Sequence, residues 1–317
     1  MTLVVYPFSG VFGFVSAMTA VTSGGVALME PVFTPDLVLG HMSELGVTHL
    51  ASADDVNARL MAAWHERPVP LDRFDHLLIG DFYGNSLQIA GWAENETGTP
   101  TYGIYGSSEL FALVGFWGER DPVPARWRGG GRPVSPRIEV RAADPDTDAP
   151  LPAGEIGELQ FHGYLVVDSY LGDHDGAIRA RSFTDDGWFR SGDLGSVRED
   201  GSFEFRCRAG DSLRLRGYLV EPAEIETRLS EHPEVARAKV VGVERDGQTR
   251  AVAFVEPGPG RDPDPGALRD WCAAALAAFK VPELVHTLPE LPTTVGTNGS
   301  KVRADVLRDM AARLAAE

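Results

Sequence analysis

The residues of this sequence best suited to chemistry form a short polar run that ends in a carboxylate. Residues 105–109 read Tyr-Gly-Ser-Ser-Glu and begin where a predicted strand over Thr101–Tyr105 ends. A bound phosphate needs small hydroxyl donors and close backbone approach, Mg²⁺ prefers carboxylate oxygens, and ligands bind at the carboxyl ends of strands in open α/β sheets. The alternative is a polar turn that caps a helix beginning at Leu110. The candidate binding residues are Tyr105, Gly106, Ser107, Ser108 and Glu109.

Three further motifs follow in order along the chain, and each taken alone has a simpler explanation. Residues 188–193 read Trp-Phe-Arg-Ser-Gly-Asp, for which the alternative is a turn between strands. Residues 208–211 read Arg-Ala-Gly-Asp, for which the alternative is a surface loop with a solvated charge pair. Residues 298–302 read Asn-Gly-Ser-Lys-Val and are predicted to form a loop before the last helix. Their Lys301 is one of three lysines beside 26 arginines. An exposed surface lysine is the simpler interpretation there.

The four motifs in this order resemble those of the adenylate-forming ligases. That superfamily includes acyl- and aryl-CoA synthetases, peptide-synthetase adenylation domains and beetle luciferase. The resemblance implies a protein that joins a carboxylic acid to AMP and then passes the acyl group to a thiol. ATP or AMP, Mg²⁺, and coenzyme A or a phosphopantetheine thiol are therefore the expected small molecules.

The resemblance also implies roles for individual side chains of the first two motifs. Tyr105 offers a face to the purine, and Glu109 binds magnesium. Asp193 accepts hydrogen bonds from the two ribose hydroxyls, a task that suits a carboxylate because it is a pure acceptor with several lone pairs. Ser108 stands where the family usually has threonine, which is a conservative change.

The later motifs resemble parts of the family that move between two half-reactions. Arg208 then contacts ribose or phosphate, and Asp211 is the hinge for rotation of the last domain, since hinges absorb backbone change over few residues. Gly217 matches the segment that lines a thiol tunnel. Lys301 is the expected adenylation residue, because a compact ammonium can sit between the substrate carboxylate and the α-phosphate.

Two departures from the family pattern limit what can be transferred. The Gly/Ser/Thr-rich phosphate loop that ends in lysine is missing, because no lysine precedes Lys239. We therefore expect an N-terminally shortened ligase. The predicted substrate pocket also differs from that of the family. Gly10 stands where the family often has a histidine, and the bulkier Asp81, Phe82 and Tyr83 stand where it has a run of small residues.

Several functions remain open at this stage. The first is an acyl- or aryl-CoA synthetase that makes an acyl-adenylate and then a thioester. The alternatives are a non-catalytic adenylate-binding protein, a protein completed by a separate chain that supplies the missing half, a protein that retains thioester formation alone, and a protein that loads a carrier protein. The acid itself is not identified by the sequence.

The elements that must position these residues are predicted by hydrophobic patterning. Helices are predicted over Phe12–Thr22, from a Thr34 cap to a stop at Gly46, and from Asp54 towards His65. They alternate with short apolar strands, the first at Val4–Tyr6, which indicates a mostly parallel α/β sheet. Near the other end of the chain an amphipathic helix is predicted over Ala267–Phe279. From about residue 121, short strands separated by Gly- and Pro-rich turns predict an antiparallel, barrel-like subdomain. We therefore predict a partial α/β subdomain of the large AMP-binding domain over 1–120, a β-rich subdomain over 121–210 and a small, mobile α+β domain over 211–317.

Composition narrows the class of protein further. The net charge of −17 argues against nucleic-acid or anionic-membrane partners. Two cysteines form no disulfide framework, and we expect reduced thiols in a cytoplasmic protein. Residues 1–29 carry no charged side chain. Because Pro and Gly interrupt that stretch, we predict buried strand and helix there and no membrane span.

Overall fold

The computed structural model describes most of the chain, in two compact units. It describes residues 1–30, 32–82, 84–174, 176–209, 212–216, 218–245, 248–296 and 299–314, with the backbone alone at 214, 218, 219, 295, 296 and 299–301. The two units are Met1–Arg206 and Cys207–Glu317. The three-part division expected from composition stays a prediction.

One sheet of eleven strands organises the first unit. Its spatial order is β2-β1-β3-β4-β5-β6-β7-β11-β10-β9-β8. The strands are β1 (Thr2–Val4), β2 (Ala27–Met29), β3 (His49–Ala53), β4 (His76–Gly80), β5 (Thr101–Tyr105), β6 (Gly115–Phe116), β7 (Gly130–Pro133), β8 (Ile138–Ala143), β9 (Ile156–Gly163), β10 (Phe189–Val197) and β11 (Phe203–Arg208). The pairs among β1 to β5 are parallel, whereas β5–β6, β6–β7, β7–β11, β8–β9 and β9–β10 are antiparallel. The predicted combination of a parallel α/β sheet with an antiparallel part is confirmed.

The antiparallel part of the sheet curves strongly. Four strand spacings separate β5 from β10, which would be about 19 Å in a flat sheet. Side chains of the two strands nevertheless touch, because the Tyr105 hydroxyl lies 2.5 Å from an Asp193 oxygen. The predicted barrel-like curvature is therefore present, and it brings β5 opposite β10.

Helices cover the parallel part of this sheet. They are α1 (Val11–Thr22), α2 (Pro35–Leu45), α3 (Asp54–Glu66) and α4 (Ser86–Glu96). The short α5 (Ala177–Ser182) instead contacts the antiparallel strand β10. The helices predicted over the first two hundred residues correspond to α1, α2 and α3, whereas α4 was missed. Its central Gly91 and mixed apolar spacing weaken the helical pattern, but Ile89, Trp92 and Ala93 are buried against the sheet.

Two local expectations for this unit were wrong. The first strand was expected at Val4–Tyr6 but lies at Thr2–Val4, because Tyr6 leaves the sheet and accepts the Ala53 N–H through its hydroxyl at 2.7 Å. The Thr34 hydroxyl was expected to cap α2, but its side chain makes no capping hydrogen bond. Gly46 does end α2 in the left-handed conformation, as predicted.

The second unit has its own sheets and helices. They are β12 (Leu213–Leu215), β13 (Tyr218–Val220), α6 (Pro222–Ser230), β14 (Val235–Arg245), β15 (Gln248–Pro257), α7 (Pro265–Ala273), β16 (Leu284–Thr287), β17 (Thr293–Gly296), β18 (Gly299–Val302) and α8 (Ala304–Leu314). The predicted small α+β domain is confirmed. Helix α7 was expected to reach Phe279 but ends at Ala273.

The central strand β15 separates two cores in this unit. Ala253 and Val255 belong to the cluster that contains α6 and α7 residues, whereas Val252 and Phe254 belong to the cluster that contains α8 residues. Successive side chains of a strand point to opposite faces, so a strand buried on both faces is apolar throughout. This pattern accounts for the unbroken apolar run of β15.

The uncharged N-terminal stretch forms part of the sheet unit. Helix α1 spans 12 residues and buries one face, which includes Ala17 and Ala20. Among the residues that the structure describes, no helix has both the length and the hydropathy of a membrane span.

Candidate active site

Loops that follow neighbouring parallel strands gather the candidate residues of the first unit. The strands β3, β4 and β5 are consecutive and parallel, so their carboxyl ends lie at one edge of the sheet. Asp54 follows β3, residues 81–85 follow β4, and residues 106–114 follow β5. This edge of the sheet therefore holds two of the segments predicted to form the site, the one after β4 and the one after β5.

The loop after β5 is tightly built around Gly106. A Cβ atom at Gly106 would lie 1.9 Å from the carbonyl oxygen of Ala112, so only glycine fits. The Ser107 carbonyl accepts the N–H of Ala112 at 2.8 Å. Phe111 and Ala112 both have positive φ, at 53° and 72°, which costs energy for residues with a side chain. The short 3-10 turn over Ser108–Leu110 replaces the α-helix that the alternative interpretation began at Leu110.

Two polar side chains of this loop make no hydrogen bond to the described part of the chain. Glu109 is half-buried, and among the described residues its carboxylate makes no hydrogen bond or ion pair. The Ser107 hydroxyl is buried and lacks a hydrogen-bond partner in the same part of the chain. Backbone contacts hold the turn instead, since the Glu109 carbonyl accepts the Val167 N–H at 2.9 Å.

One carboxylate is a partial fit to a magnesium ion. In the described part of the chain, no group of three His, Cys, Asp or Glu side chains could enclose a metal. Mg²⁺ is commonly bound by one or two carboxylates together with phosphate oxygens and water. Glu109 therefore suits a metal that arrives with a phosphate, and it does not form a separate protein-only cage.

Asp193 lies on a bulged strand and not in the turn that the simpler interpretation proposed. The pairing of β10 with β9 shifts register between Arg190 and Leu194. Within this bulge the Ser191 hydroxyl donates to the Leu159 carbonyl at 2.5 Å and accepts the Asp193 N–H at 3.1 Å. A bulge bends a strand and re-aims one side chain, and here it directs the carboxylate towards β5.

The Tyr105 hydroxyl donates a hydrogen bond to this carboxylate. The distance from the hydroxyl oxygen to Asp193 Oδ2 is 2.5 Å, across 88 residues of sequence. Both side chains are buried, with 7% of Tyr105 and 5% of Asp193 exposed. The structure therefore brings together the first and second sequence motifs directly.

Three phenylalanines surround the Tyr105 ring. Phe161 stacks on it with ring centroids 5.5 Å apart, Phe203 meets it edge-on at 5.4 Å, and Phe205 lies tilted at 5.7 Å. Sequence reasoning missed this aromatic cluster, although alternation of aromatic residues along Phe203–Phe205 was a usable signal. The expected stacking of a purine on Tyr105 stays a prediction, and it would require one covered face to open.

A polar network that includes Glu158 holds the bulge of β10 in place, and the sequence did not predict it. The Glu158 carboxylate accepts the Gly192 N–H at 3.0 Å, and the Gln160 amide donates to both Glu158 and Asp148, at 3.2 and 2.8 Å. The Arg190 guanidinium pairs with Asp148. This contact with Arg190 holds the pKa of the Asp148 carboxyl below its ordinary value. Because these partners are distant in sequence, no local motif marks them.

The loop after β4 carries two of the bulky pocket residues. The Asp81 carboxylate accepts the Ser86 hydroxyl at 2.8 Å, and burial raises its pKa. The Phe82 ring is 57% exposed and lies 2.8 Å from where a Cβ at Gly80 would stand. Asp54 accepts the Phe82 N–H at 3.2 Å, which fixes the loop. Tyr83 lies outside the described residues.

Gly10 lies close to the same edge. It precedes α1, and its N–H donates to the Pro7 carbonyl at 3.0 Å. Phe14 of α1 meets Phe8 edge-on at 5.2 Å and Phe111 of the β5 loop at 6.3 Å. The Gly10 turn is thereby connected to the loop that carries Glu109.

The remaining candidates belong to the second unit. Arg208 ends β11, and its carbonyl accepts the Ser212 N–H at 3.0 Å. Asp211 and Gly217 lie outside the described residues, as does the side chain of Lys301. The backbone of Lys301 pairs with Thr294 in the β17–β18 hairpin, so the expected loop is in fact a strand.

The other two lysines form ion pairs with carboxylates of α6. Lys239 Nζ lies 3.0 Å from a Glu226 oxygen, and Lys280 Nζ lies 2.7 Å from Glu224 Oε1. Lys239 lies within β14. The role of Lys301 in adenylation stays a prediction.

Comparison with known proteins agrees with these observations. The family model described as "AMP-binding enzyme" matches residues 1–171, and the one described as "AMP-binding enzyme C-terminal domain" matches residues 224–296. A 2-succinylbenzoate–CoA ligase of Geobacillus kaustophilus is 30% identical over 292 residues, which cover 92% of this chain and 57% of the ligase. A 4-coumarate–CoA ligase-like protein of Oryza sativa is 26% identical over 305 residues, covering 95% of this chain and 54% of that protein.

Solved structures give the same result for the fold. The ATP-bound MatB of Rhodopseudomonas palustris superimposes with a TM-score of 0.82 at 25% identity, covering 99% of this chain and 60% of MatB. The chain thus spans little more than half the length of the curated relatives it matches.

Proposed function

The chain belongs to the AMP-binding enzyme family, and from that membership we propose that it is an AMP-dependent carboxylate ligase of the acyl- or aryl-CoA synthetase type. The observation that carries the proposal is the buried hydrogen bond between Tyr105 and Asp193. It joins the motif assigned to phosphate and metal to the motif assigned to ribose. A nucleotide spans both groups, so the two motifs must lie within the length of one nucleotide for the assignment to hold.

The proposed reaction has two steps. A carboxylate oxygen of the acid attacks the α-phosphorus of ATP, which forms an acyl-adenylate and releases pyrophosphate. The sulfur of a thiol then attacks the acyl carbon, which forms a thioester and releases AMP. No covalent bond to the protein forms in either step, so no nucleophilic side chain is required.

The chain's own residues would bind and orient the reactants. Asp193 accepts the ribose hydroxyls, and Ser107 and Ser108 donate to phosphate oxygens. Glu109 holds magnesium, which offsets phosphate charge when it is bound. Lys301 provides a mobile positive charge between the acid and the α-phosphate. Because charge builds up there only during adenylation, Lys301 lowers that barrier more than it strengthens ground-state binding.

The second step is assigned to the second unit. Arg208 contacts ribose or phosphate, Asp211 acts as the hinge, and Gly217 lets a pantetheine arm pass close to the backbone. The thiol is that of coenzyme A or of a carrier protein. Asp81, Phe82 and Tyr83 narrow the acid pocket that begins near Gly10. We place the reaction in the cytoplasm, which agrees with two buried cysteines that form no disulfide.

The direct test is ATP-dependent pyrophosphate release by the purified chain with magnesium and a panel of aliphatic and aromatic acids. We expect Lys301→Ala to abolish release. Lys280→Ala is the matched control, since it removes another lysine of the same unit that is held in a partly exposed ion pair worth at most about 1 kcal/mol. Release that persists in Lys301→Ala would remove that residue from the mechanism.

A partner-completed enzyme is the second candidate, and the edge strand β2 favours it. On this edge, Val26, Met29 and Val32 are exposed by 57%, 42% and 70%. An exposed apolar sheet edge is a site for strand addition. If the chain alone releases no pyrophosphate, a synthetic acyl-adenylate with coenzyme A separates the remaining possibilities. Thioester formation would indicate that the second half-reaction is retained, and binding without turnover would indicate a non-catalytic adenylate-binding protein.

A further inference from the structure

Tyr105 contributes a buried hydroxyl whose partner is the proposed ribose acceptor. The two residues lie on β5 and β10, which are not neighbours in the sheet. Their 2.5 Å contact forms inside the aromatic cluster, with both side chains less than 10% exposed. A buried hydrogen bond to a charged acceptor is stronger than a neutral one, so this contact has the strength to fix an orientation.

We propose that Tyr105 is a positioning residue for Asp193: its hydroxyl holds the carboxylate in the orientation that receives the ribose hydroxyls. This inference rests on the proposed function, because it takes the ribose role of Asp193 as given. It assigns to the Tyr105 hydroxyl a task separate from any contact between the tyrosine ring and a purine.

The hydroxyl is itself held in place. The ring packs against Phe161, Phe203 and Phe205, all with centroid distances below 6 Å. A ring confined on three sides cannot swing away without opening the cluster, so its oxygen keeps one position. The Tyr105 hydroxyl, held by this packing, therefore limits the orientations that the Asp193 carboxylate can take.

The carboxylate is fixed from its backbone end as well. The Asp193 N–H donates to Ser191 Oγ at 3.1 Å, and the preceding Gly192 N–H donates to Glu158 at 3.0 Å. The hydrogen bond from the Tyr105 hydroxyl restricts rotation about the Asp193 side-chain bonds. A carboxylate is a pure acceptor with about four acceptor positions, so it can accept from a tyrosine and from ligand hydroxyls together. Preorganisation of this kind raises affinity because less order is lost on binding.

A competing geometry gives the opposite sign. If the tyrosine hydroxyl occupied the position that a ribose hydroxyl needs, nucleotide binding would have to displace it, and its removal would tighten binding. The sign of the change in affinity therefore decides between positioning and obstruction.

The experiment measures the dissociation constants of AMP, 2′-deoxyAMP and 3′-deoxyAMP by calorimetry on the full chain. Tyr105→Phe removes the hydroxyl and keeps the ring. We expect it to weaken AMP binding about ten-fold, the effect of losing one hydrogen bond to a charged group, and to weaken both deoxy analogues less. Discrimination between AMP and the analogues therefore shrinks. In pyrophosphate release, the variant should raise the KM for ATP and leave kcat nearly unchanged.

Tyr102→Phe is the matched control. Tyr102 lies on the same strand and is also 7% exposed, but it is not part of the Tyr105 cluster. It should leave all three dissociation constants unchanged. Asp193→Asn should remove the discrimination, and adding Tyr105→Phe to it should cause no further loss.

These outcomes distinguish failure of the Tyr105 positioning role from failure of the proposed function. Unchanged affinity in Tyr105→Phe, tighter AMP binding, or an equal loss for all three nucleotides would each overturn the positioning role while the proposed function stands. Failure of the wild-type chain to bind AMP at all would overturn the ribose role of Asp193, and the inference would fall with it.

Discussion

The two carboxylates of the candidate site differ in their surroundings. At the bulge of β10, Asp193 is 5% exposed and its carboxylate accepts a hydrogen bond from the Tyr105 hydroxyl. In the loop after β5, Glu109 is partly exposed and its carboxylate has no partner among the described residues. Both carboxylates belong to motifs of the same candidate site. The bulge offers an acceptor that is already ordered, which suits neutral hydroxyl groups. The loop keeps a charge in reach of solvent, which suits a cation that brings its own ligands.

The β10 bulge and the loop after β5 therefore depend on the fold to different degrees. Removing a partner from a buried hydrogen-bonded charge leaves an unsatisfied group, so stability and function fall together. Removing a solvent-accessible charge without a partner affects ligand binding alone. Substitutions that change stability and activity separately therefore test whether the bulge and the loop differ in this way.

The largest effect is expected for Asp193→Asn. Under the proposed function, loss of the charge-assisted ribose contacts weakens nucleotide binding about a hundred-fold. The Tyr105 hydroxyl loses its charged acceptor, so the free energy of unfolding falls by about 2 kcal/mol. Pyrophosphate release as a function of ATP concentration measures the first effect, and urea denaturation measures the second.

Glu109→Gln is the matched change in the loop. We expect activity to fall and more magnesium to be needed, while the free energy of unfolding stays within about 0.5 kcal/mol of wild type. Equal stability losses in the Asp193 and Glu109 variants would remove the distinction between an ordered and an open carboxylate.

The loop backbone is expected to be far less tolerant than its side chains. Gly106→Ala forces a Cβ to 1.9 Å from the Ala112 carbonyl oxygen, and we expect a loss of about 2 kcal/mol in unfolding free energy. Gly40→Ala is the control, because no heavy atom lies within 4 Å of a Cβ in that helix. It should stabilise the chain by up to about 1 kcal/mol. Urea denaturation checks both, and a tolerated Gly106→Ala would show that the loop is loosely built.

We expect a smaller contribution to the free energy of unfolding from the polar network that holds the bulge of β10. Glu158→Ala removes the acceptor for the Gly192 N–H, which we expect to cost about 1 kcal/mol in thermal or urea unfolding. Glu139→Ala on the adjacent strand, where the carboxylate side chain is 66% exposed, should change stability by less than about 0.5 kcal/mol. Similar losses for both variants would mean that the bulge does not depend on Glu158.

The smallest effects concern pH. The pKa of Asp148 is lowered by the hydrogen bonds from Arg190, so its stabilising contribution is present above about pH 4 and is lost as pH falls further. The pKa of Asp81 is raised by burial, so its contribution is lost as pH rises above about 4. We expect Asp81→Asn to flatten the fall in stability above about pH 4 and Asp148→Asn to flatten the loss below about pH 4, as unfolding at a series of pH values would show. A steeper decline at neutral pH in Asp81→Asn would contradict the sign of this shift.

The sequence alone determined those features that depend on nearby residues. The strand at Thr101–Tyr105 and the helix that ends at Thr22 follow from local apolar patterning, and the structure confirms both. The order of the four motifs was enough to indicate the family, since each motif is contiguous. Gly106 could be selected from sequence because the requirement for glycine lies within its own loop.

Tertiary structure decided the features that join distant parts of the chain. The hydrogen bond between Tyr105 and Asp193 spans 88 residues and exists because the antiparallel strands curve round to face β5. The bulge that aims Asp193 depends on pairing with β9, and the expected loop around Lys301 became a strand because β17 pairs with it. Local pattern cannot report such contacts, because strand pairing and burial are set by partners that are remote in sequence.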